Sequence, residues 1–407
     1  MCPLIIFGYN IHEKFLNLCN YMNLIVVTDI KLENKFLEVP LIIYKNDPNF
    51  IRPLDKDIKE VFDENRNKTF RFGEAIRWIL TNNEGELIGR IAAFVNKRYK
   101  TKGDTQATGG IGFFECINDQ SAADMLFDVS KNWLISKGME AMDGPINFGE
   151  RDRWWGLVVE GFKPPIYLMN YNPPYYQQLF ENYGFKNFFN QICWHLYVTD
   201  EPSEKFHIQH RKYSADPDYK AIHLNKKDLK KFAIDFTTVY NNAWVKHEGN
   251  KQMHKEVAIK MFESMKQVMD EELIWFTYYK DEPVAFWLNL PELNQIFRHF
   301  NGKFNMISKL KFLWYKLTGE CNKFTGVAFG VIPEFEGKGV GYYMIMEAAK
   351  VIKQKKYDEL ELQWQGDFLP KMLNISKNLG AEQSRRLVTY RYLFDRSKEF
   401  KRHPILN

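Results

Sequence analysis

The sequence predicts an α/β fold of the α+β type, built as two similar units in tandem. Three observations lead there. The chain has 407 residues, more than one hydrophobic core ordinarily serves. A polar stretch containing Pro202 and Pro217 divides it near residues 201–220. Both sides of that stretch then show one order of elements: strand, two helical segments, hairpin, strand, helix, strand, helix, strand. The two sides share little sequence identity, so the repeat is one of architecture. The resulting boundaries are 1–21 for an N-terminal extension, 22–200 for the first unit, 201–220 for a linker, 221–396 for the second unit and 397–407 for a tail.

The elements of the first unit follow from spacing and punctuation. "NLIVVTDI" after Met22, a possible alternative start, reads as a strand, and "KLENKFLEVPLIIYKND" has helical apolar spacing until Pro48. "AIRWILTNNEGELIGRIAAFVN" reads as a hairpin turning at Asn83 to Gly85, and "GGIGFFECI" as a further strand. "DQSAADMLFDVSKNWLISKG" is an amphipathic helix capped by Asp119 or Ser121 and ended by Gly138. "MEAMDGPI", the helix opened by "PPYYQQLFENYGF" and the strand "QICWHLYV" complete the unit.

The second unit repeats the plan. Two helices, "KKDLKKFAIDFTTVYNNAW" and "MHKEVAIKMFESMKQVM", precede "ELIWFTYYKDEPVAFWLNLP", a hairpin expected to turn at Asp281 to Pro283. "KFTGVAFGVIP" is a strand, "GVGYYMIMEAAKVIKQKKY" a long helix, "DELELQWQ" a strand, "FLPKMLNISKNLG" a helix and "RRLVTYRYLF" the last strand.

Composition narrows the function classes. The net charge is +5, from 56 basic and 51 acidic residues interspersed along the chain, which implies neither nucleic acid nor an anionic membrane as partner. Five cysteines, an odd number without zinc-knuckle or redox-pair spacing, read as reduced thiols in a cytoplasmic compartment. No apolar run approaches the ~20 residues that span a bilayer, and the N-terminus lacks the basic start of a secretory signal. The pairs His207 and His210, and His247 and His254, lack a third ligand with helpful spacing, so no metal is expected.

The chemistry-bearing segment is "GVIPEFEGKGVGYYMIMEAA". A strand runs to Pro333, a glycine-rich turn follows, and a helix starts near Val340. Helix N-termini carry unpaired N–H groups and partial positive charge, which suits a phosphate. Gly337, Gly339 and Gly341 remove the side chains that would hold a diphosphate away from those amides, and Lys338 adds a cation.

This segment resembles the Q/R-x-x-G-x-G/A motif of the GNAT acyltransferases, with Glu336 in the Q/R position and Gly339 and Gly341 as the two glycines. Together with "GPINFGERDRWWGLVVEGFKPPIYLMNYNPPYYQQLFENYGF", "YNNAW" and "LPELNQIF", it makes residues 22 to 396 similar to a bacterial family with two GNAT-like domains. The resemblance implies a mixed, mostly antiparallel sheet with flanking helices in each unit. It implies acetyl-CoA or another acyl-CoA as co-substrate, held by Phe329, Val331 and Ile332 along the pantetheine arm and by Gly337, Lys338, Gly339, Val340, Gly341 and Tyr342 at the diphosphate. "DELELQWQ" would splay from the neighbouring strand to open a gap for the thioester.

In such a site an amine attacks the thioester carbonyl, with the Val331 N–H as oxyanion donor. Glu292 and Glu361 are the candidate bases. The family's general acid is a tyrosine before the Gly of the last helix; Ser376 stands there, leaving Tyr390 or Tyr392 as substitutes or the thiolate to depart unassisted. Trp244 and Trp364 are candidate walls of an acceptor pocket, and the loop "NFGERDRWWG", with Arg151 and Trp154, is a candidate selector of the acceptor. The first unit has no glycine cluster where its phosphate loop should be. Glu115 and Asp119 stand there instead, so it reads as a partner domain that does not bind cofactor. The resulting expectation is a cytoplasmic N-acyltransferase acting on a small-molecule or peptide amine. The alternatives are a non-catalytic acyl-CoA sensor or interaction module, an aminoacyl-tRNA-dependent transferase and a long-chain acyl transferase.

Overall fold

The computed structural model describes residues 22–101, 103–244 and 252–406. The extension 1–21 with Cys2 and Cys19, and also His247, lie outside the described residues. The first half runs β1 (Met22–Val26), α1 (Ile30–Ile43), α2 (Asp55–Val61), β2 (Gly73–Asn82), β3 (Leu87–Asn96), β4 (Thr108–Cys116), α3 (Gln120–Ser136), β5 (Ala141–Gly144), β6 (Leu157–Glu160), α4 (Tyr176–Tyr183) and β7 (Lys186–Tyr197). After α5 (Glu204–Ser214) comes the second half: β8 (Tyr219–His223), α6 (Leu229–Trp244), α7 (Lys255–Met265), β9 (Ile274–Tyr279), β10 (Glu282–Pro291), α8 (Asn294–Phe297) and α9 (Met306–Thr318). It ends with β11 (Lys323–Val331), α10 (Val340–Ile352), β12 (Glu359–Gly366), α11 (Pro370–Asn378) and β13 (Glu382–Leu393).

The local signals act as the chemistry requires. The Asp29 carboxylate caps α1 by accepting from Leu32 N–H, and Asp119 caps α3 by accepting from Ala122 N–H. Gly184 ends α4 in the left-handed conformation that a side chain would strain. The second hairpin turns at Lys280 and Asp281, both at positive φ, rather than at Asp281 to Pro283; Pro283 is already in β10.

The strands form one sheet in the order β1-β2-β3-β4-β5-β13-β7-β12-β11-β10-β9-β8, with β6 on β13. Among the described residues only β4–β5 and β11–β12 are parallel. The halves exchange their last strands. β7, which closes the first half in sequence, pairs with β12 of the second, and β13, from the C-terminus, lies between β5 and β7. Helices and loops cover both faces of the sheet, with large apolar clusters on each half.

Three segments differ from expectation. The linker is a helix: Phe206 and Tyr213 of α5 are apolar at helical spacing and bury against α10, and the surrounding polar residues obscured that stripe. The tail is tied down, with His403 stacked on Phe368 at 4.0 Å and Leu406 N–H donating to Phe368 O. Between β10 and β11 the chain inserts α8 and α9, which interrupt the repeat.

One buried ion pair fastens the exchanged strand. Arg391 on β13 donates from Nε and Nη2 to the Asp143 carboxylate on β5 at 2.6 and 2.8 Å, from Nη1 to Asp104, and lies 3.6 Å over the Phe188 ring. Asp143 is fully buried and also accepts from Tyr99 Oη. Arg391→Ala strands that carboxylate, so a loss of about 3–5 kcal/mol is expected in urea unfolding. A loss below about 1 kcal/mol would mean that the pair does not fasten the strand.

Candidate functional site

Strands β11 and β12 pair only from Lys323↔Glu359 to Gly326↔Leu362 and then diverge. β11 continues to Val331 along β10, with an irregularity between Leu288 and Asn289 that leaves Val327 as an extra residue. β12 turns instead toward β7, where Gln365 pairs with Ile192. A V-shaped gap results. Ile332 N–H bonds Val284 O, so by the antiparallel alternation Val331 and Phe329 point their N–H and C=O away from β10, toward the gap. An extended chain laid in the gap would meet those groups.

Beyond β11 the turn carries the chain into α10. Gly337 and Gly339 take positive φ, +70° and +89°, which glycine adopts without strain. Among the described residues, the N–H groups of Gly337, Gly339, Val340, Gly341 and Tyr342 have no hydrogen-bond partner, whereas those of Glu336 and Lys338 bond Pro333 O and Phe335 O. Glu336 is exposed and, among the described residues, makes no ion pair or hydrogen bond through its carboxylate, so it does not plug the mouth of the helix. Lys338 is exposed too, and its carbonyl accepts from Tyr213 Oη at 2.7 Å. Gly341 packs under the Phe329 ring, which a Cβ would approach to 2.5 Å. The Tyr342 ring stacks on Phe206 of α5 at 4.2 Å and so serves packing, leaving its backbone for a ligand. Gln209, also on α5, lies against Gly339, with its Oε1 buried and unpartnered among the described residues. Sequence reading missed Gln209 because it sits in the segment taken as linker.

At the vertex, the two candidate bases meet in one buried cluster. Glu361 faces Arg385, whose Nε donates to its Oε1 at 2.7 Å, and also accepts from Ser384 Oγ; Lys323 Nζ lies 3.8 Å away. Arg385 also donates from Nη1 to Lys163 O and from Nη2 to Pro164 O. Glu292 accepts from the N–H groups of Tyr167 and Asn294 at 2.9 and 2.8 Å through Oε1, while its Oε2 is buried without a partner among the described residues. Burial, reinforced by the nearby Glu361 and opposed by the two N–H donors and Lys323, pushes Glu292 up to about 8. Glu361 is thus bound to a cation, and Glu292 has a free oxygen and a proton affinity in the working range of a base.

Beside this cluster a small cleft, with room for about one water, is lined by Asp152, Trp154, Trp155, Tyr167, Gln363 and Trp364, among others. Trp364 and Trp154 therefore come together from opposite halves. Tyr167 links the cleft to Glu292 through its N–H and to Asp57 through its hydroxyl. Arg151 stands outside, with its guanidinium 5.6 Å from the Trp155 ring centre. Trp244 ends α6, and its side chain lies outside the described residues.

Tyr390 and Tyr392 do not face the gap. Strand exchange carries them into the first half, where Tyr390 Oη donates to Glu181 and both rings join its core. Ser376 is buried and bonded to the Gln365 amide, so its hydroxyl is occupied.

The first half has the same splay in a closed form. β4 and β5 part after Gly110↔Asp143, but the chain itself fills the opening: Ile146 N–H bonds Ile111 O, and a Cβ at Gly112 would collide with Ile146 O. Asp119 occupies the mouth of its own helix. Glu115, expected near that mouth, points inward, accepting from Tyr44, Tyr176 and Arg90, and burial raises its proton affinity.

No family model matches the chain. A bacterial ceramide synthase from Caulobacter vibrioides is 23% identical over 355 residues, 85% of this chain and 91% of the relative. Among solved structures, a tandem GNAT protein from the clavulanic acid biosynthesis pathway superposes with a TM-score of 0.52 at 9% identity, over 93% of this chain and all of the other. The GCN5-related glucosamine N-acetyltransferase region of a fungal multi-domain GH3 β-N-acetylglucosaminidase gives 0.54 at 12% identity over 91% of this chain, which spans 38% of that protein. Identities this low establish architecture alone, and that architecture matches the splayed pair, glycine turn and doubled plan: the chain has the tandem GNAT fold.

Proposed function

We propose that the chain is an N-acyltransferase that moves an acyl group from acyl-CoA to a primary amine, with the donor bound in the second half. The observation that carries this reading is the row of five open N–H groups at the mouth of α10, continuous with the outward-facing backbone of Phe329 and Val331. When bound, the acyl-CoA supplies the activated thioester. The chain's own part is to hold the diphosphate on the amides of Gly337 to Tyr342, to align the pantetheine on β11 and to offer the Val331 N–H to the carbonyl oxygen.

Glu292 is the base this reading favours. It takes the amine proton as the C–N bond forms and the C–S bond breaks, and it can return that proton to the leaving sulfur, since no hydroxyl of Ser376, Tyr390 or Tyr392 is free in the gap. Trp154 and Trp364 wall the acceptor. The relative named a ceramide synthase supports testing amphiphilic amines, because ceramide is an amide of a long-chain amino alcohol.

Calorimetric titration with coenzyme A, followed by thiol release from acyl-CoAs of increasing length over an amine panel, tests the proposal. Absence of binding up to millimolar coenzyme A ends it. The occupied Ser376 hydroxyl favours a second reading, a non-catalytic acyl-CoA sensor; binding without thiol release on any amine would select it.

A further inference from the structure

Helix α9 carries an apolar face that the protein does not cover. Met306, Ile307, Leu310, Leu313, Trp314 and Leu317 are between 56% and 85% exposed, and they make up six of the large apolar residues exposed among the described ones. At about 100° per residue these six fall within an arc of roughly 120°. The opposite side, formed by Ser308, Phe312 and Tyr315, faces the protein. Isolated exposed apolar residues are ordinary, but a contiguous stripe of this size on one helix marks a binding surface.

The charges around the stripe identify the partner. Lys309 and Lys316 flank it on one side and Lys311 on the other, and the segment from Asn305 to Gly319 contains no carboxylate. Lys309 and Lys311 are exposed and form no ion pair among the described residues; Lys316 donates to Gln267 O. An apolar arc bordered by cations on both sides matches the plane where acyl chains meet anionic headgroups. A second copy of the helix would bring like charges together along both borders. The helix is firmly placed: Asn305 caps it by accepting from Ser308 N–H, Gly319 ends it in the left-handed conformation, and Phe312 and Tyr315 anchor it beside Leu293, the neighbour of Glu292.

We infer that α9 is an interfacial helix that docks the chain on an anionic bilayer surface without crossing it. The expectation of no membrane partner rested on net charge, which averages over the whole chain and misses a local face. Docking on this face sets the Glu292 side of the molecule toward the lipid. The inference does not require the transferase reading, since binding is measured without acyl donor.

The test is co-sedimentation of the full chain with vesicles of phosphatidylcholine alone and of phosphatidylcholine mixed with phosphatidylglycerol. Partition onto the anionic vesicles is expected, falling at high salt. The triple variant Leu313→Ser, Trp314→Ser, Leu317→Ser is expected to lose it at least about tenfold while its thermal midpoint is kept. Lys309→Ala with Lys311→Ala is expected to lower binding to anionic vesicles about tenfold and to leave binding to phosphatidylcholine unchanged. Pelleting equal to a vesicle-free control, or equal partition of the wild-type chain and the triple variant, overturns the inference. So does light scattering that shows a dimer abolished by the triple variant in a chain that binds no vesicles.

Discussion

Gly339→Asp is expected to weaken coenzyme A binding on the order of 100-fold, the largest loss from any single change in the loop. The aspartate would put a carboxylate among five open N–H groups that otherwise meet a diphosphate. Two other consequences must be separated from charge. Gly339 sits at φ +89°, and a Cβ there would approach Gln209 to 2.5 Å. Asparagine tolerates positive φ at least as well as aspartate, has the same shape and displaces Gln209 equally, but is neutral. Gly339→Asn is therefore expected to lose only several-fold. Titration calorimetry on both variants reads the difference. Equal losses would assign the effect to backbone and packing and would remove the loop's electrostatic role.

Glu292→Gln is expected to separate catalysis from stability in opposite directions. The wild-type carboxyl holds its proton in the folded chain up to a pH of about 8, whereas an unfolded glutamate releases it near 4.5. Between those values the folded state binds more protons, so wild-type stability declines as pH rises through this window and levels off above it. Glutamine keeps the acceptor for Tyr167 and Asn294 N–H and carries no charge. The variant is expected to match the wild type below pH 4.5 and to exceed it above pH 8, by about 5 kcal/mol, in urea unfolding. Turnover should move the other way. If Glu292 is the base, kcat rises with pH through about 8 in the wild type, and Glu292→Gln lowers it about 100-fold or more and removes the rise. A rise that persists in the variant places the base elsewhere, whatever the stability data give.

Much of the architecture was legible because it is written locally. The cap Asp119, the stops Gly138 and Gly184 and the alternating strands each act over a few residues. The glycine turn was legible for the same reason. What escaped was set by long-range pairing. Nothing in "RRLVTYRYLF" tells which half it joins, so Tyr390 and Tyr392 were placed beside the wrong gap. The capture of Glu361 by Arg385 and the isolation of Glu292 depend on a loop from the first half, where Lys163, Pro164 and Tyr167 supply the contacts. Helix α9 has helical spacing, but its stripe faces outward, and amphipathicity alone does not say whether protein or something else covers it.

The exchange of last strands has a consequence for biosynthesis. The ribosome releases residues 22 to 200 long before β13, so the nascent first half waits with β5 open along one edge and β7 without either of its neighbours. β12 covers one edge of β7, and the facing edges of β5 and β7 close only when residues 382 to 393 have cleared the exit tunnel. Completion of the first half thereby waits on synthesis of the second, and a chain cut before residue 382 would carry two sticky borders, dependent on chaperones and prone to aggregate.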